Sequence, residues 1–514
     1  MPPMTFHSLL VRNPEDALTK TPLEAPGFFV DLNLDQIIDA ITAGKQEYGL
    51  KPFFYTPLQN VDGITYRHEI FHDLEERTLF ENLKSFGHTM RAMRDQLAQT
   101  NKLHYQYQKE RWFLEAVETY GTAVNSLVRD LSLAELNSRG LLAFRQFLTN
   151  YANSEHFSSL QSETERLFAD LSSVKYCLRI KDLAIKVGKY ESEMDYTASV
   201  EDTFSKFKQG AVKDYRVKFS EDPEMNHVEA GVLDLVAKLY PEVFSSLDRY
   251  YVRNGNYLNE TIARFDREIQ FYLAYLEHVA IFRRAGLKFC YPEMCVDHKE
   301  VYDYEGFDLA LAHKLLGGRS SVVCNDFSLK EPERIFVVTG PNQGGKTTFA
   351  RTFGQLHYLA SIGCPVPGRQ AQLFLADRVF THFEKEEDLN NLRGKLHDDL
   401  LRIHDMLSQA TGNSILILNE ILTSTTLQDA LFLSKRIMDQ ICHLGALCVW
   451  VTFIDELASF GEQTVSMVST VALDDPTVRT FKIMRRPADG LSYAIAIAEK
   501  YRVTYDRLKE RMGS

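Results

Sequence analysis

Ile335-Phe336-Val337-Val338-Thr339-Gly340-Pro341-Asn342-Gln343-Gly344-Gly345-Lys346-Thr347-Thr348 is the stretch on which the fold turns. Four apolar residues in a row read as a buried strand. The glycine-rich loop after them fits G-x-x-x-x-G-K-[ST], a P-loop. Its glycines let the backbone curl, so that successive N–H groups face phosphate oxygens. Phe349-Ala350-Arg351-Thr352-Phe353 then reads as a helix whose positive end adds to the same site. Gly340 through Thr348 are therefore the candidate nucleotide-binding residues. Lys346 would neutralise the β and γ charge of ATP and is a candidate catalytic residue. Thr347 would hold Mg²⁺.

Around this stretch the texture is α/β from Gly286 onward. Ile415-Leu416-Ile417-Leu418 and Leu447-Cys448-Val449-Trp450-Val451 are further short apolar runs, alternating with helical segments. Such runs read as buried strands of a largely parallel sheet. The first ends in Asn419-Glu420. In P-loop ATPases a strand of this kind ends with an acidic residue near Mg²⁺, often followed by a glutamate that polarises the attacking water. Here Asn419 would reach the metal through a bound water but brings no negative charge. Glu420 is the candidate catalytic base.

Upstream, no proline occurs between Pro57 and Pro223, which predicts long helices. Apolar residues at helical spacing, such as Ile70, Leu74, Leu79 and Leu83, support this to about Ser173. Near Lys175 the period changes to two: Tyr176, Leu178 and Ile180 alternate with Lys175, Arg179 and Lys181. Tyr215, Val217 and Phe219 alternate in the same way. A small β-containing insertion over about 174–222 is predicted. It carries ten Lys/Arg against seven Asp/Glu between Val174 and Phe219, with Lys186, Lys189, Lys206, Lys208 and Lys213 as candidate DNA contacts. Helical spacing resumes through Leu235, Leu239 and Phe271 to about Ala285.

The 514 residues carry 58 Lys+Arg and 70 Asp+Glu, a net charge of −12. That excludes a uniformly basic nucleic-acid binder but not a local basic surface. Seven cysteines without a C-x-x-C pair point to reduced thiols in a cytoplasmic protein. The first twenty residues lack the apolar core of a secretory signal. No apolar stretch approaches the ~20 residues that span a bilayer.

The C-terminal third resembles the MutS family of DNA mismatch repair and recombination ATPases. Thr339 to Thr348 is similar to its T-G-P-N-x-x-G-K-[ST]-[ST]. Asp377-Arg378-Val379-Phe380-Thr381 resembles its D-R-[IV]-F-T. Asn419-Glu420-Ile421-Leu422-Thr423-Ser424-Thr425-Thr426 stands where the family has D-E-[LI]-G-[RK]-G-T-S. Pro487-Ala488-Asp489 through Ser492-Tyr493 resembles its terminal P-x-x-x-S-Y-G. The resemblance implies a multidomain protein: a tail (1–30), helical lever segments (31–173 and 223–289) around a clamp-like insertion (174–222), and an ATPase domain (290–514). It also implies a homodimer that grips duplex or branched DNA through backbone contacts, with a repair or recombination protein as a further partner. The 514 residues leave no room for the family's mismatch-reading domain. Phe113-Leu114-Glu115 matches that domain's Phe-x-Glu but lies in a helical stretch and reads as core.

Three positions depart from the family. Asn419 replaces an aspartate. Phe453 falls on the γ-phosphate-sensing histidine. Gly394-Lys395-Leu396 aligns with the S-T-F loop that reaches the neighbouring subunit's nucleotide. Slow hydrolysis is expected, with Lys395 or Arg393 as candidates for a positive charge on the partner's γ-phosphate. The alternative reading is a nucleotide-switched protein-interaction ATPase with no direct DNA role. His68-Glu69-Ile70-Phe71-His72 also fits H-E-x-x-H, the zinc-peptidase pattern, but no third ligand follows at a fixed spacing.

Overall fold

The structure is a computed structural model and describes residues 6–12, 24–182, 184–191, 225–316, 321–384, 394–472 and 477–488, with single positions at 200, 203, 318, 475, 504, 505 and 509. The chain divides into two compact units. One comprises Met1–Phe6, Glu76–Leu136 and Leu141–Asp266; the other comprises His7–Glu75, Asn137–Gly140 and Arg267–Ser514.

Along the chain come α1 (Phe28–Leu32), α2 (Leu34–Thr42), α3 (Lys51–Phe54) and α4 (Val61–Asp73). The long helices α5 (Arg77–Lys102), α6 (Gln106–Leu133), α7 (Arg139–Ala152) and α8 (Glu155–Ser173) follow. A hairpin of β1 (Tyr176–Lys181) and β2 (Ala184–Lys189) leads on to α9 (His227–Leu239), α10 (Pro241–Arg253) and α11 (Glu260–Arg284). Two of the unit boundaries fall within α7 and α11.

The first unit is helical apart from the hairpin, among the described residues. Along α5, Leu79, Leu83, Phe86, Met90 and Met93 recur every three or four residues, and all are buried. Phe113 of α6 lies in the core, edge-on to Tyr251 and Tyr257. It is helix core, as its spacing suggests. In the hairpin, Leu178 faces Val187 and Ile180 faces Ile185, while Arg179 faces Lys186. One face is apolar and the other basic. The apolar face roots on α9 and α10 through Val187, Val236, Ala237 and Phe244. The Lys189 ammonium stands 5.1 Å from the Tyr240 ring centroid. The alternating run at 215–219 and Lys206, Lys208 and Lys213 lie outside the described residues.

The second unit continues with β3 (Phe289–Cys290), β4 (Glu293–Cys295), β5 (Val301–Gly306), α12 (Leu309–Leu315), β6 (Asn325–Leu329), β7 (Ile335–Thr339), α13 (Lys346–Ser361), β8 (Val366–Pro367), β9 (Gln370–Phe374) and β10 (Val379–Phe383). It closes with α14 (Lys395–Gln409), β11 (Ile415–Asn419), α15 (Leu427–Leu444), β12 (Leu447–Val451), a 3₁₀ turn (Asp455–Ser459), β13 (Thr464–Val471) and β14 (Arg479–Arg485). The main sheet runs in the order β10-β11-β12-β7-β13-β14. It is parallel except for β14. Every residue of β7, β11 and β12 is buried, as their unbroken apolar runs predict. A second sheet, β4-β9-β5-β6, lies in the same unit. Phe327 of that sheet meets Phe336 of β7 and Phe349 and Phe353 of α13 within one aromatic cluster.

The sequence divisions place residues 31–75 with the helical segment, whereas the structure groups them with the C-terminal unit. Buried polar bonds account for the difference. The buried Arg67 guanidinium donates to the carbonyls of Leu10 and Ile362. Gln355 of α13 donates to the Leu32 carbonyl, and Tyr358 donates to that of Phe54. Helical spacing announces helices but not which neighbour they dock on. No helix of the described residues is long and apolar enough to cross a membrane.

Candidate functional site

The carboxyl ends of β7, β11 and β12 lie side by side on one edge of the sheet, with Asn419 opposite Val451 and Val338 opposite Val451 on the other flank. Crevices at such strand ends are where open α/β sheets hold ligands. Here β7 runs into the loop Gly340 to Gly345, and α13 starts at Lys346. Gly340, Gln343 and Gly345 have φ of 112°, 60° and 93°. Two of these are glycines, which take that region without strain. Gly344 needs its missing side chain for a different reason. A Cβ there would collide with Ser469 Oγ of β13, which donates to the Gly344 carbonyl at 2.7 Å.

Lys346 is buried and folded onto the loop. Its Nζ donates to the Gly340 carbonyl at 2.9 Å and to Asn342 Oδ1 at 3.2 Å, and lies 3.7 Å from Glu420 Oε1. Burial holds its pKa below the usual lysine value, and the nearby Glu420 works against that shift. Arg479 of β14 donates to the Asn342 carbonyl at 3.2 Å and adds positive charge beside Lys346. Thr347 Oγ1 donates to Asn419 Oδ1 at 2.8 Å. The structure thus brings the loop, Thr347, Asn419 and Glu420 together. Thr348 lies in the first turn of α13.

Glu420 and Leu422 have φ of 52° and 62°, a rare conformation for residues with side chains. The Glu420 N–H donates to the Val451 carbonyl at 2.9 Å. Backbone of this kind clusters at functional loops. Phe453, half exposed, follows Thr452, whose N–H donates to the Val338 carbonyl. Lys395, the first residue of α14, donates to Glu384 just past β10. Arg393 lies outside the described residues, as do Asp489, Ser492 and Tyr493.

Ser469, Arg479, Glu384 and Thr423 were not singled out by sequence reasoning. Thr423 lies within the Asn419–Thr426 stretch but was given no role there; no motif spacing marks the other three, and each arrives from another strand or loop. Only Glu384 had a local signal, as the charged residue directly after Phe383, the last residue of β10. The H-E-x-x-H residues have other roles here. Glu69 accepts from Arg139 at 2.9 Å, and the His72 ring lies against Tyr291 with centroids 3.8 Å apart. His68 is half-buried, and desolvation pushes its pKa down to about 4. Among the described residues no group of three His, Cys, Asp or Glu is arranged to hold a metal ion.

A strand, glycine loop and helix of this form, with Asn419 and Glu420 on the neighbouring strand, make up a P-loop arrangement. A family model described as MutS domain V matches residues 336–508. The DNA mismatch repair protein MutS of Brevibacillus brevis is 29% identical over 186 residues, covering 35% of this chain and 22% of that protein. The protein of that name from Orientia tsutsugamushi (strain Boryong) is 29% identical over 231 residues, 43% of this chain and 26% of its own. That from Geobacillus sp. is 30% identical over 194 residues, 37% and 22%. The chain thus matches about a quarter of the length of these curated relatives. Residues 336–508 of the chain thus resemble MutS domain V.

Proposed function

We propose that this chain binds ATP with Mg²⁺ at the P-loop, hydrolyses it slowly, and couples nucleotide state to clamp-like binding of duplex or branched DNA in repair or recombination. The observation that carries the nucleotide reading is the hydrogen bond of Thr347 to Asn419 beside the Lys346–Glu420 pair. The residues fit the group: the loop leaves no room for a Cβ at Gly344, and the Lys346 ammonium lies against two loop carbonyls, an amide oxygen and one carboxylate, acceptors that a phosphate can replace. ATP and Mg²⁺ supply the phosphoanhydride bond and the charge that polarises it. The N–H groups of Gln343 to Thr348 and Nζ of Lys346 would hold the phosphates. Thr347 Oγ1 and, through water, Asn419 Oδ1 would hold the metal. Glu420 would take the proton of the attacking water.

Slow turnover follows from Asn419, which offers an oxygen without charge, and from Phe453, which offers no hydrogen bond. The DNA role rests on the relatives' description as mismatch repair proteins and on the basic face of the β1–β2 hairpin. Contacts there would be to phosphates, without reading sequence. A homodimer, with Lys395 reaching the partner's nucleotide, completes the proposal. Its test is a panel of duplex, mismatched, branched and single-stranded DNA, titrated with and without an ATP analogue and with Lys346→Ala as control. Binding that weakens steeply with salt and responds to the analogue supports it. Nucleotide binding without any salt-dependent DNA binding would leave a nucleotide-switched protein-interaction ATPase instead.

A further inference from the structure

Gln106 of α6 spends one amide nitrogen on two carboxyls. Its Nε2 donates to Glu110 Oε1 at 2.9 Å and to Asp248 Oδ1 of α10 at 3.1 Å. Glu110 is 2% exposed, and its Oε2 has no hydrogen-bond partner among the described residues. The two carboxyls lie within hydrogen-bond reach of each other. Two carboxylates that close repel when both are ionised, and one shared proton turns the repulsion into a bond. Burial, with Asp248 beside it, pushes the Glu110 pKa up to about 7, against the pull of the Gln106 bond.

The charges on the packed elements do not relieve the pair. Asp234 of α9 adds a third carboxylate around Tyr107. Arg111, next in sequence to Glu110, lies 2.9 Å from Glu115. Arg249 of α10 donates to Ser245 and Ser246 of its own helix, Arg253 of α10 pairs with Glu163 of α8, and Arg94 of α5 pairs with Asp266. Lys109 of α6 and Lys238 of α9 are not among the charges that shift the Glu110 carboxyl. The pair also sits one turn from the hairpin root. Tyr107 of α6 and Phe244 of α10 meet edge-on with centroids 4.9 Å apart, and Phe244 packs with Val236, Ala237 and Val187 of β2 in one apolar cluster. Glu110 follows Tyr107 by three residues and Asp248 follows Phe244 by four, so rings and carboxyls share the facing sides of the same two helices.

We propose that Glu110 and Asp248 are a proton-operated latch between α6 and α10: sharing one proton they hold together the two helices that root the β1–β2 hairpin, and losing it they push those helices apart and loosen the hairpin. The sign follows from the raised value. The latch contributes fully below the ordinary glutamate range, and that contribution is lost as pH rises through about 7. The latch itself needs no DNA; its use as a control on DNA grip rests on the clamp reading given above.

The test is amide hydrogen exchange of residues 176–189 in the full chain, from pH 6 to pH 8, corrected for the intrinsic pH dependence of exchange. Wild-type protection of the hairpin falls severalfold over that range. Glu110→Gln keeps the shape, donates an N–H to Asp248 and gives a flat profile. Asp248→Asn, at the less buried position, removes the repelling charge and flattens the profile as well, which keeps the test open if Glu110→Gln fails to fold. A flat wild-type profile overturns the latch. So do variant profiles that run parallel to wild type, which are the mark of a merely structural pair. Duplex DNA affinity at constant salt, measured in parallel, falls severalfold from pH 6 to pH 8 in wild type and less in either variant. A wild type whose hairpin loosens with pH but which binds no DNA at any pH upholds the latch and removes the DNA reading.

Discussion

Asp303 of β5 is fully buried, and neither carboxyl oxygen has a hydrogen-bond partner among the described residues. Gly306 and Gly368 leave the space its carboxyl occupies. Burial, with Asp326 and Glu305 adding negative charge nearby, pushes its pKa up to about 8 from 3.8. The unfolded chain releases this proton near the lower value, and the folded chain keeps it to the higher one. Stability from this group is full below the unfolded value, falls as pH rises between the two, and levels off above about 8. The slope is at most about 1.4 kcal/mol per pH unit. Asp303→Asn should therefore gain on wild type steadily from pH 5 to pH 8, measured as urea midpoints. Parallel profiles for the two proteins would refute this. Asn419 offers a second prediction at the same scale. Asn419→Asp keeps the acceptor for Thr347 and adds a charge. The Mg²⁺ concentration for half-maximal nucleotide binding should fall by roughly three- to tenfold. An unchanged Mg²⁺ requirement would remove Asn419 from the metal's surroundings.

Among the elements, the hairpin is the most exposed to test. Lys186 lies on its basic face across from Arg179, so the two cations stand side by side where a phosphate could sit between them. Lys189 instead sits over Tyr240 at the hairpin root. Lys186→Ala should weaken DNA binding about equally for all sequences and reduce the salt slope by about 1. It should leave thermal melting unchanged. Lys189→Ala should also loosen the root. A salt slope unaffected by Lys186→Ala would exclude this face as a phosphate contact. The first strand was legible because Tyr176, Leu178 and Ile180 alternate with basic residues. Its partner carries the same signal in Ile185 and Val187, interrupted by Gly188, which has no side chain to mark a face. In the main sheet β7, β11 and β12 were legible as uninterrupted apolar runs. β13 and β14 were not, since Ser466, Ser469 and Thr470 break their pattern, and these are the strands that bring Ser469 and Arg479 to the P-loop.

For the molecule as a whole, sequence pattern separated helical from α/β texture but not the units. Helices of 28–73 and the last part of α11 go with the C-terminal unit because Arg67, Gln355 and Tyr358 spend their hydrogen bonds there. Periodicity along a chain carries no information on such partners. The functional prediction at this scale is one of linkage. If nucleotide state and DNA grip are coupled, an ATP analogue should change DNA affinity by roughly 5- to 100-fold, and DNA should change analogue affinity by the same factor. Both effects should vanish in Lys346→Ala. A one-sided effect at equilibrium would contradict coupling. Ser469 gives the phosphate loop a further property. Because the loop's Gly344 carbonyl is pinned by a side chain from another strand, the loop cannot breathe independently of β13. Its amides then share the slow exchange clock of the sheet rather than the fast one of a surface turn, and a Ser469→Ala chain would keep its fold while that clock, at 340–345 alone, runs fast.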